Sequence, residues 1–282
     1  MSSSEDPPGS EDPPEDRSEG RPGGRLLVDE PAPGVARLTI SNPAKRGALD
    51  HAILDAFAAN LAELDARCLI ITGEKTTFSA GYDIGELRGD GQFEDAAERL
   101  VANPFTEALD ALEAYPYPTL AALNGHAIGG GLELALACDL RIADATIMLG
   151  MPPAKLGLVY SHTGVRKFID TIGAPRTREL FLVGRRINAR TAREWGLINA
   201  IAQEGRIAEE AVELASEIAA NAPLAQRGNK RVIGAVLGAR GEMDPALESE
   251  LIELRRACFA SEDFREGVRA FSEKRLPQWR GR

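Results

Sequence analysis

The chain has 282 residues, of which 44% are apolar and 27% charged, and its formal net charge is −10 at pH 7. That length can hold one large domain or two small ones. The acidic balance argues against a surface that tracks nucleic-acid phosphates. The longest apolar stretch, residues 119–138, contains His126 and Glu133 and is therefore not expected to span a bilayer.

Residues 1–24 form an acidic, proline-rich tail. They contain seven acidic and two basic residues, which account for half of the net charge, and five prolines. No apolar residue follows Met1, so the tail cannot bury enough surface to offset its ordering entropy, and we predict that it is disordered. It has neither the basic start nor the apolar core of a secretory signal.

The three cysteines, Cys68, Cys138 and Cys258, are far apart and lie in apolar contexts. An odd number at such spacing indicates reduced core thiols in a cytoplasmic protein, not a disulfide framework or a metal site.

After the tail, segments typical of strands alternate with segments typical of helices. In chain order we predict a hairpin around residues 31–34, a helix capped by Asp50, a buried strand at 68–73, a helix from Asn103–Pro104 to about Glu113, a strand at 119–125, a glycine-led helix through Glu133 and a strand at 140–144. This alternation implies crossover connections and a largely parallel sheet. From Gly173 onward the pattern is mostly helical, as in a region that packs on the sheet or on another subunit.

Two of the strand-to-helix junctions are rich in small residues: FSAGYDI at 78–84 and GHAIGGGLE at 125–133. The first amides of a helix have no intrahelical partner and lie at the positive end of its dipole. Small residues allow a substrate oxygen to approach these amides closely. Two such junctions side by side predict an oxyanion hole, although the glycines alone fit tight helix packing equally well. A dinucleotide fingerprint is excluded, because Leu134 stands where the third glycine is required.

Glu133 is flanked by leucines and alanines and is expected to be buried. A buried carboxylate must be paired or have a raised pKa. Beside an oxyanion hole, such a group suits general acid–base chemistry. The alternative is a structural salt bridge to Arg141 or to another cation.

Four segments resemble the crotonase (enoyl-CoA hydratase/isomerase) superfamily: FSAGYDI, NGHAIGGGLELALACDLRIAD, ELFLVGRRINARTAREWGLIN and FREGVRAFSEKRLPQW. The resemblance covers roughly residues 25–280. It implies an α/β fold of the ClpP/crotonase type, with a spiral of ββα units over residues 25–205 and a helical trimerisation region over 206–282. Members form trimers or dimers of trimers and stabilise an acyl-CoA enolate with two backbone amides. By position, these amides belong to Tyr82 and Gly130.

The resemblance also implies where CoA binds, and it implies no cofactor apart from the CoA of the substrate. The implied CoA-binding residues are Lys45, Arg46, Ala48, Asp83 and Ile84, together with Phe271 and Lys274, which reach the CoA of a neighbouring subunit. Members commonly have asparagine where this chain has Gly47, which puts that contact in question.

The sequence departs from the hydratases of this family at their second glutamate. Pro153 stands in its place, followed by Ala154. Hydration requires one group to activate water and another to handle the α-proton, so two-glutamate hydration is not expected.

The stretch MPPAKLGLVY instead resembles methylmalonyl-CoA decarboxylases of the same superfamily, which have a tyrosine at the position of Tyr160 and a glutamate at that of Glu133. Those enzymes have a histidine where this chain has Tyr82, so carboxylate recognition is expected to differ. Tyr160 either orients the departing carboxylate or positions the proton donor; the alternative is a core tyrosine. His162 is either a loop residue or a group that tunes Tyr160.

The sequence thus predicts an acyl-CoA enzyme, with decarboxylation of a malonyl-type CoA favoured over hydration or double-bond isomerisation. The expected catalytic groups are Glu133, Tyr160, Tyr82 and Gly130. A non-catalytic acyl-CoA-binding relative is the alternative of another class.

Overall fold

The structure is a computed structural model that describes residues 23–83, 104–238, 244–280 and 282. The predicted disorder of the tail falls outside these residues, apart from Gly23 and Gly24. The Gly24 N–H donates a hydrogen bond to Asp50 Oδ2 at 2.6 Å, just before the first strand.

The described strands form two sheets. The larger has six strands in the order β1-β2-β3-β5-β7-β10, and the smaller has four in the order β4-β6-β8-β9. The strands are β1 Arg25–Ala32, β2 Val35–Ser41, β3 Cys68–Gly73, β4 Thr77–Ser79, β5 Thr119–Leu123, β6 His126–Ile128, β7 Leu140–Asp144, β8 Met148–Gly150, β9 Arg186–Asn188 and β10 Ala200–Ala202. The predicted hairpin is confirmed by the antiparallel β1–β2 pair, and the predicted parallel sheet by the four pairings from β2 to β10.

The helices follow the strands in a repeated order. They are α1 His51–Glu63, α2 Pro104–Ala114, α3 Gly130–Ala137, α4 His162–Arg178, α5 Ala189–Trp195, α6 Ile207–Ala220, α7 Pro223–Gly238, α8 Pro245–Ala260 and α9 Glu262–Glu273. A strand of the large sheet, a strand of the small sheet and then a helix recur as β5-β6-α3 and β7-β8-α4. This is the predicted ββα repeat.

The large sheet is covered on both faces, as expected for parallel strands. In β3, Leu69 and Ile71 belong to the core beneath α1, α2 and α3, whereas Cys68 and Ile70 face α6. The continuous apolar run of β3 is therefore a consequence of burial on both sides. The three cysteines are free thiols; Cys68 and Cys138 are buried in the core, as predicted, whereas Cys258 is only partly buried.

Helix α4 contains a first segment, from His162 to the break at Gly173, that the sequence did not predict. The Ser161 side chain caps it by accepting a hydrogen bond from the Gly164 N–H at 3.1 Å. Gly173 has φ +76° and ψ 162°, so the backbone breaks at this glycine and a second helical segment begins after it, as predicted. No described helix is long and apolar enough to cross a membrane.

Candidate active site

Three neighbouring strands of the small sheet end at the site. Strands β4, β6 and β8 pair in parallel, so their carboxyl ends meet at one edge of the sheet. The segment after β4 carries Tyr82, the segment after β6 carries the three glycines, and the segment after β8 runs to Tyr160. The topology thereby brings together the two predicted junctions and Tyr160.

Gly81 allows the two junctions to approach closely. Its φ is +89°, and a Cβ at this position would lie 3.0 Å from the Gly130 nitrogen and 2.7 Å from the Ile128 carbonyl oxygen. The next residue is Tyr82, whose ring lies 3.2 Å from the place of a Gly130 Cβ. Tyr82 and Gly130, whose amides are the predicted donors, therefore lie against each other, as an oxyanion hole requires.

The three consecutive glycines serve different purposes. Gly129 has φ +57°, and its N–H donates to the Gly150 carbonyl at 2.9 Å. A Cβ on Gly131 would lie 2.6 Å from the Ser79 Cβ, so this glycine is required for packing. Gly130, the first residue of α3, has a free helix-terminal amide by geometry. The packing interpretation of the glycine run therefore holds at Gly131, whereas the oxyanion hole at Gly130 stays a prediction.

Ser79 ties the first junction to the segment that precedes α1. Its hydroxyl donates to the Gly47 carbonyl at 2.8 Å and accepts from the Gly81 N–H at 3.1 Å. The Ala80 N–H also donates to the Arg46 carbonyl at 3.1 Å. Because several bonds join the two loops, they hold the Tyr82 amide in a fixed position.

Glu133 is 3% exposed and its partner is Tyr160, whose hydroxyl donates to Glu133 Oε2. Its other oxygen, Oε1, lies 2.7 Å from the place of a Gly164 Cβ, so glycine is needed there. The predicted alternative, a salt bridge to Arg141, is wrong: that guanidinium donates to the carbonyls of Leu197 at 2.8 Å and Cys138 at 2.7 Å.

Burial raises the pKa of Glu133 to about 7, although the hydrogen bond from Tyr160 and the charge of Lys167 oppose the rise. Lys167 itself pairs with Glu113 on α2. A carboxyl with this pKa is present in both forms at neutral pH, so it can donate or accept a proton.

The hydroxyls of Tyr82 and Tyr160 also interact through a side-chain hydrogen bond. Burial is the main cause that raises the pKa of each hydroxyl, and the charge of Glu133 adds to it. Both therefore stay protonated. Edge-to-face contacts fix the rings, with centroids 4.7 Å apart for Tyr82 and Phe105 and 5.5 Å apart for Tyr160 and Phe181.

Pro153 begins a short 3₁₀ helix, Pro153–Leu156, and is buried, while Ala154 is exposed. His162 is the first residue of α4, and its Nε2 lies 3.2 Å from Glu248 Oε1. Its partner is thus a carboxylate on α8, not Tyr160.

The predicted CoA-binding residues fall into two groups. Lys45 pairs with Asp83, and Arg46 and Ala48 flank Gly47 in the same region. Ile84 lies outside the described residues. Phe271 is 62% exposed near the end of α9 and Lys274 ends that helix, so their contact with a neighbouring CoA stays a prediction.

Comparison with known proteins decides the family. The sequence profile of enoyl-CoA hydratase/isomerase matches residues 30–282. The chain belongs to this family, the crotonase superfamily. Enoyl-CoA hydratase domain-containing protein 2, mitochondrial, of Mus musculus is 35% identical over 89% of this chain and 86% of its own length.

Comparison with solved structures supports the same family assignment. A methylmalonyl-CoA decarboxylase in complex with 2-nitronate-propionyl-CoA has a TM-score of 0.82 at 27% identity, covering 91% of this chain and 98% of that one. An enoyl-CoA hydratase from Bacillus anthracis has a TM-score of 0.72 at 31% identity, covering 91% and 99%.

The structure explains why this member of the family has a glycine at position 47. A Cβ at Gly47 would lie 2.8 Å from the Phe78 carbonyl oxygen, and its φ is +66°. A side chain such as the common asparagine has no room in this arrangement of the two loops.

Sequence reasoning did not identify several residues around Glu133 in this crotonase. Gly164, the Lys167–Glu113 pair and the structural hydroxyl of Ser79 were all missed, as was Arg255, whose charge acts on Tyr82. Of these, only Gly164 had a local signal, since it lies three residues after the N-cap Ser161.

Proposed function

We propose that this crotonase decarboxylates a malonyl-type acyl-CoA, with methylmalonyl-CoA as the first substrate to test. The observation that carries the proposal is the pairing of buried Glu133 with the Tyr160 hydroxyl, with Pro153 at the place of a second glutamate. This arrangement suits a reaction that needs an oxyanion hole and one proton, but not one that must also activate water.

The thioester oxygen would bind between the amides of Tyr82 and Gly130. The bond between the α-carbon and the carboxylate carbon then breaks, carbon dioxide leaves, and the electron pair passes into the thioester as an enolate. Two aligned N–H groups stabilise the charge that develops on the oxygen, and the loss of one such donor typically costs about 100- to 1000-fold in rate.

The α-carbon then takes a proton from Glu133. Glu133 lies one turn beyond Gly130 on α3, and with a pKa of about 7 it is partly protonated at neutral pH. The Tyr160 hydroxyl fixes Oε2 and so orients the carboxyl group. Solvent restores the proton after the product leaves.

The solved methylmalonyl-CoA decarboxylase has a higher TM-score than the Bacillus anthracis hydratase despite lower identity, and this supports the proposal.

Double-bond isomerisation is the second candidate. The pKa of about 7 favours it as well, since a partly ionised Glu133 can take a proton from one carbon and return it to another.

One experiment separates these activities. The purified chain is incubated with methylmalonyl-CoA, crotonyl-CoA and a 3-enoyl-CoA, and the products are followed by mass spectrometry. Formation of propionyl-CoA without hydration of crotonyl-CoA supports decarboxylation, whereas conversion of the 3-enoyl-CoA alone supports isomerisation. Rapid hydration of crotonyl-CoA contradicts the proposal. Binding of all three without turnover favours a non-catalytic relative.

We further propose a homotrimer, or a dimer of trimers, as the working assembly in the cytoplasm. On α7, Leu224, Val232, Ile233 and Val236 are all at least 60% exposed. An apolar stripe of this kind is expected to be covered by another copy of the chain.

A further inference from the structure

Helix α8 packs alongside the segment that carries Tyr160. At its start, Glu248 contacts His162, and near its end the Cys258 Sγ lies 2.9 Å from the Gly157 carbonyl oxygen. Ten helical residues span about 15 Å, which is close to the reach of the five-residue segment from 157 to 162 when extended. The helix and the segment therefore run antiparallel to each other.

Arg255 lies between these two contacts on the same face of α8. The residues of this face that are not exposed are Glu248, Leu251, Ile252, Arg255, Cys258 and Phe259. Arg255 precedes Cys258 by three residues, about 4.5 Å along the helix, and so lies alongside Leu158 and Val159, just before Tyr160. Its Nε is buried.

The charge of Arg255 reaches the catalytic pocket, because it lowers the pKa of the Tyr82 hydroxyl against the larger effects of burial and of Glu133. The Tyr82 hydroxyl bonds to Tyr160, and Tyr160 bonds to Glu133. Arg255 therefore acts on the hydroxyls that lead to Glu133, whereas Lys45 and Asp83 belong to the residues expected to bind CoA.

We propose that Arg255 is a specificity residue that recognises the carboxylate of the acyl group. A guanidinium presents a planar pair of donors that matches a carboxylate. It also offsets the repulsion between that carboxylate and Glu133. The inference rests on the proposed function for the identity of the substrate, but not for the preference itself.

The interaction belongs to the bound substrate more than to the transition state. The carboxylate loses its charge as carbon dioxide forms, so Arg255 holds the ground state more strongly. Arg255→Gln is therefore expected to raise KM for methylmalonyl-CoA with kcat unchanged or higher. A merely structural role would lower kcat as well.

The decisive test uses two ligands that cannot react, 2-carboxypropyl-CoA and propyl-CoA, and measures their affinities by titration calorimetry. The wild type is expected to prefer the carboxylated ligand by about 10- to 100-fold. Arg255→Gln should bring that ratio close to one and leave the affinity for propyl-CoA within threefold. Arg255→Lys, which keeps the charge but not the fork, should give an intermediate ratio and serves if the Gln variant does not fold.

Arg256→Gln is the matched control, because Arg256 is the next residue on α8, is exposed and pairs with Glu253 at 2.8 Å. It should keep the wild-type ratio. An unchanged ratio in Arg255→Gln, or no preference in the wild type, overturns the inference. A clear preference in a wild type that does not decarboxylate methylmalonyl-CoA would refute the proposed function and leave the inference standing.

Discussion

At the scale of single residues, the proposed chemistry depends mainly on Glu133. Its pKa of about 7 means that burying the Glu133 carboxyl destabilises the fold little when the group is neutral and more when it is ionised. Burial favours the neutral form and the hydrogen bond from Tyr160 favours the ionised form, so both forms are present at neutral pH.

The first prediction concerns turnover. Glu133→Gln should lower kcat by about 100- to 10,000-fold, because the amide cannot donate the proton, while CoA binding is retained. Turnover is measured by mass spectrometry and binding by calorimetry. Glu63→Gln, an exposed change at the end of α1, is the control and should retain full activity. Full activity of Glu133→Gln would remove Glu133 from the mechanism.

The pH profile of kcat/KM gives a second prediction. If Glu133 donates the proton, decarboxylation should be constant below about pH 7 and fall tenfold per unit above it. In Tyr160→Phe the alkaline limb should move to higher pH, because the lost hydrogen bond stabilised the ionised form. A profile that rises through pH 7 would assign Glu133 the role of a base and favour isomerisation.

The raised pKa of Glu133 also predicts how the stability of the fold changes with pH. The folded-state pKa of about 7 lies above the ordinary 4.5, so the folded state binds the proton more tightly and wild-type stability is lost as pH rises from 4.5 through 7. The variant Glu133→Gln lacks this titration. Its free energy of unfolding, measured relative to that of the wild type, should therefore rise by about 2 kcal/mol from pH 5 to pH 8. Urea unfolding at both pH values measures it, and an equal difference at both would contradict the burial argument.

At the scale of elements, the three-residue strands β4, β6 and β8 determine the site. They align the two glycine junctions and Tyr160 at one sheet edge. Close packing then sets the spacing, since Gly81 and Gly131 leave no room for a side chain.

Gly131→Ala should therefore destabilise the fold by about 1–3 kcal/mol, because its Cβ would lie 2.6 Å from that of Ser79. The matched control is Gly228→Ala on α7, where an added Cβ meets nothing within 4 Å and should be neutral or stabilising. Thermal unfolding compares the two, and equal effects would count against the packing role.

Much of this arrangement was predictable, and the remainder has a physical reason. Asp50 predicted the start of α1 as an N-cap residue, and its side chain does accept a hydrogen bond from the Ile53 N–H at 3.0 Å. The strands β4, β6 and β8 have three residues each, which is too short for alternating hydrophobicity to identify them in the sequence. Tyr160 was found by resemblance, but its contact with Glu133 spans 27 residues and needed the fold. Arg255 had no local signal in the sequence, because it acts on Tyr82 from a helix far along the chain.

At the scale of the whole molecule, α7 stands apart, since none of its residues is buried. Lys230 anchors it by pairing with Asp139 at 2.8 Å, and its apolar stripe faces outward. An exposed apolar stripe on an anchored helix supports the proposed subunit interface.

Ile233→Asp should therefore dissociate the proposed assembly into 30.2 kDa chains, because an unpaired charge in an apolar interface costs several kcal/mol. Sedimentation velocity measures the mass. Ala59→Asp, which adds the same charge at an exposed position of α1, should leave the assembly intact. A wild type that sediments as single chains would refute the trimer.

The most direct test of enolate formation by decarboxylation is incubation of methylmalonyl-CoA, labelled with ¹³C in the free carboxylate, in D₂O. The wild type should release labelled carbon dioxide and form propionyl-CoA with one deuterium on the α-carbon, and Glu133→Gln should release it far more slowly. Retention of the label in the thioester, together with hydration of crotonyl-CoA by the same preparation, would contradict the account.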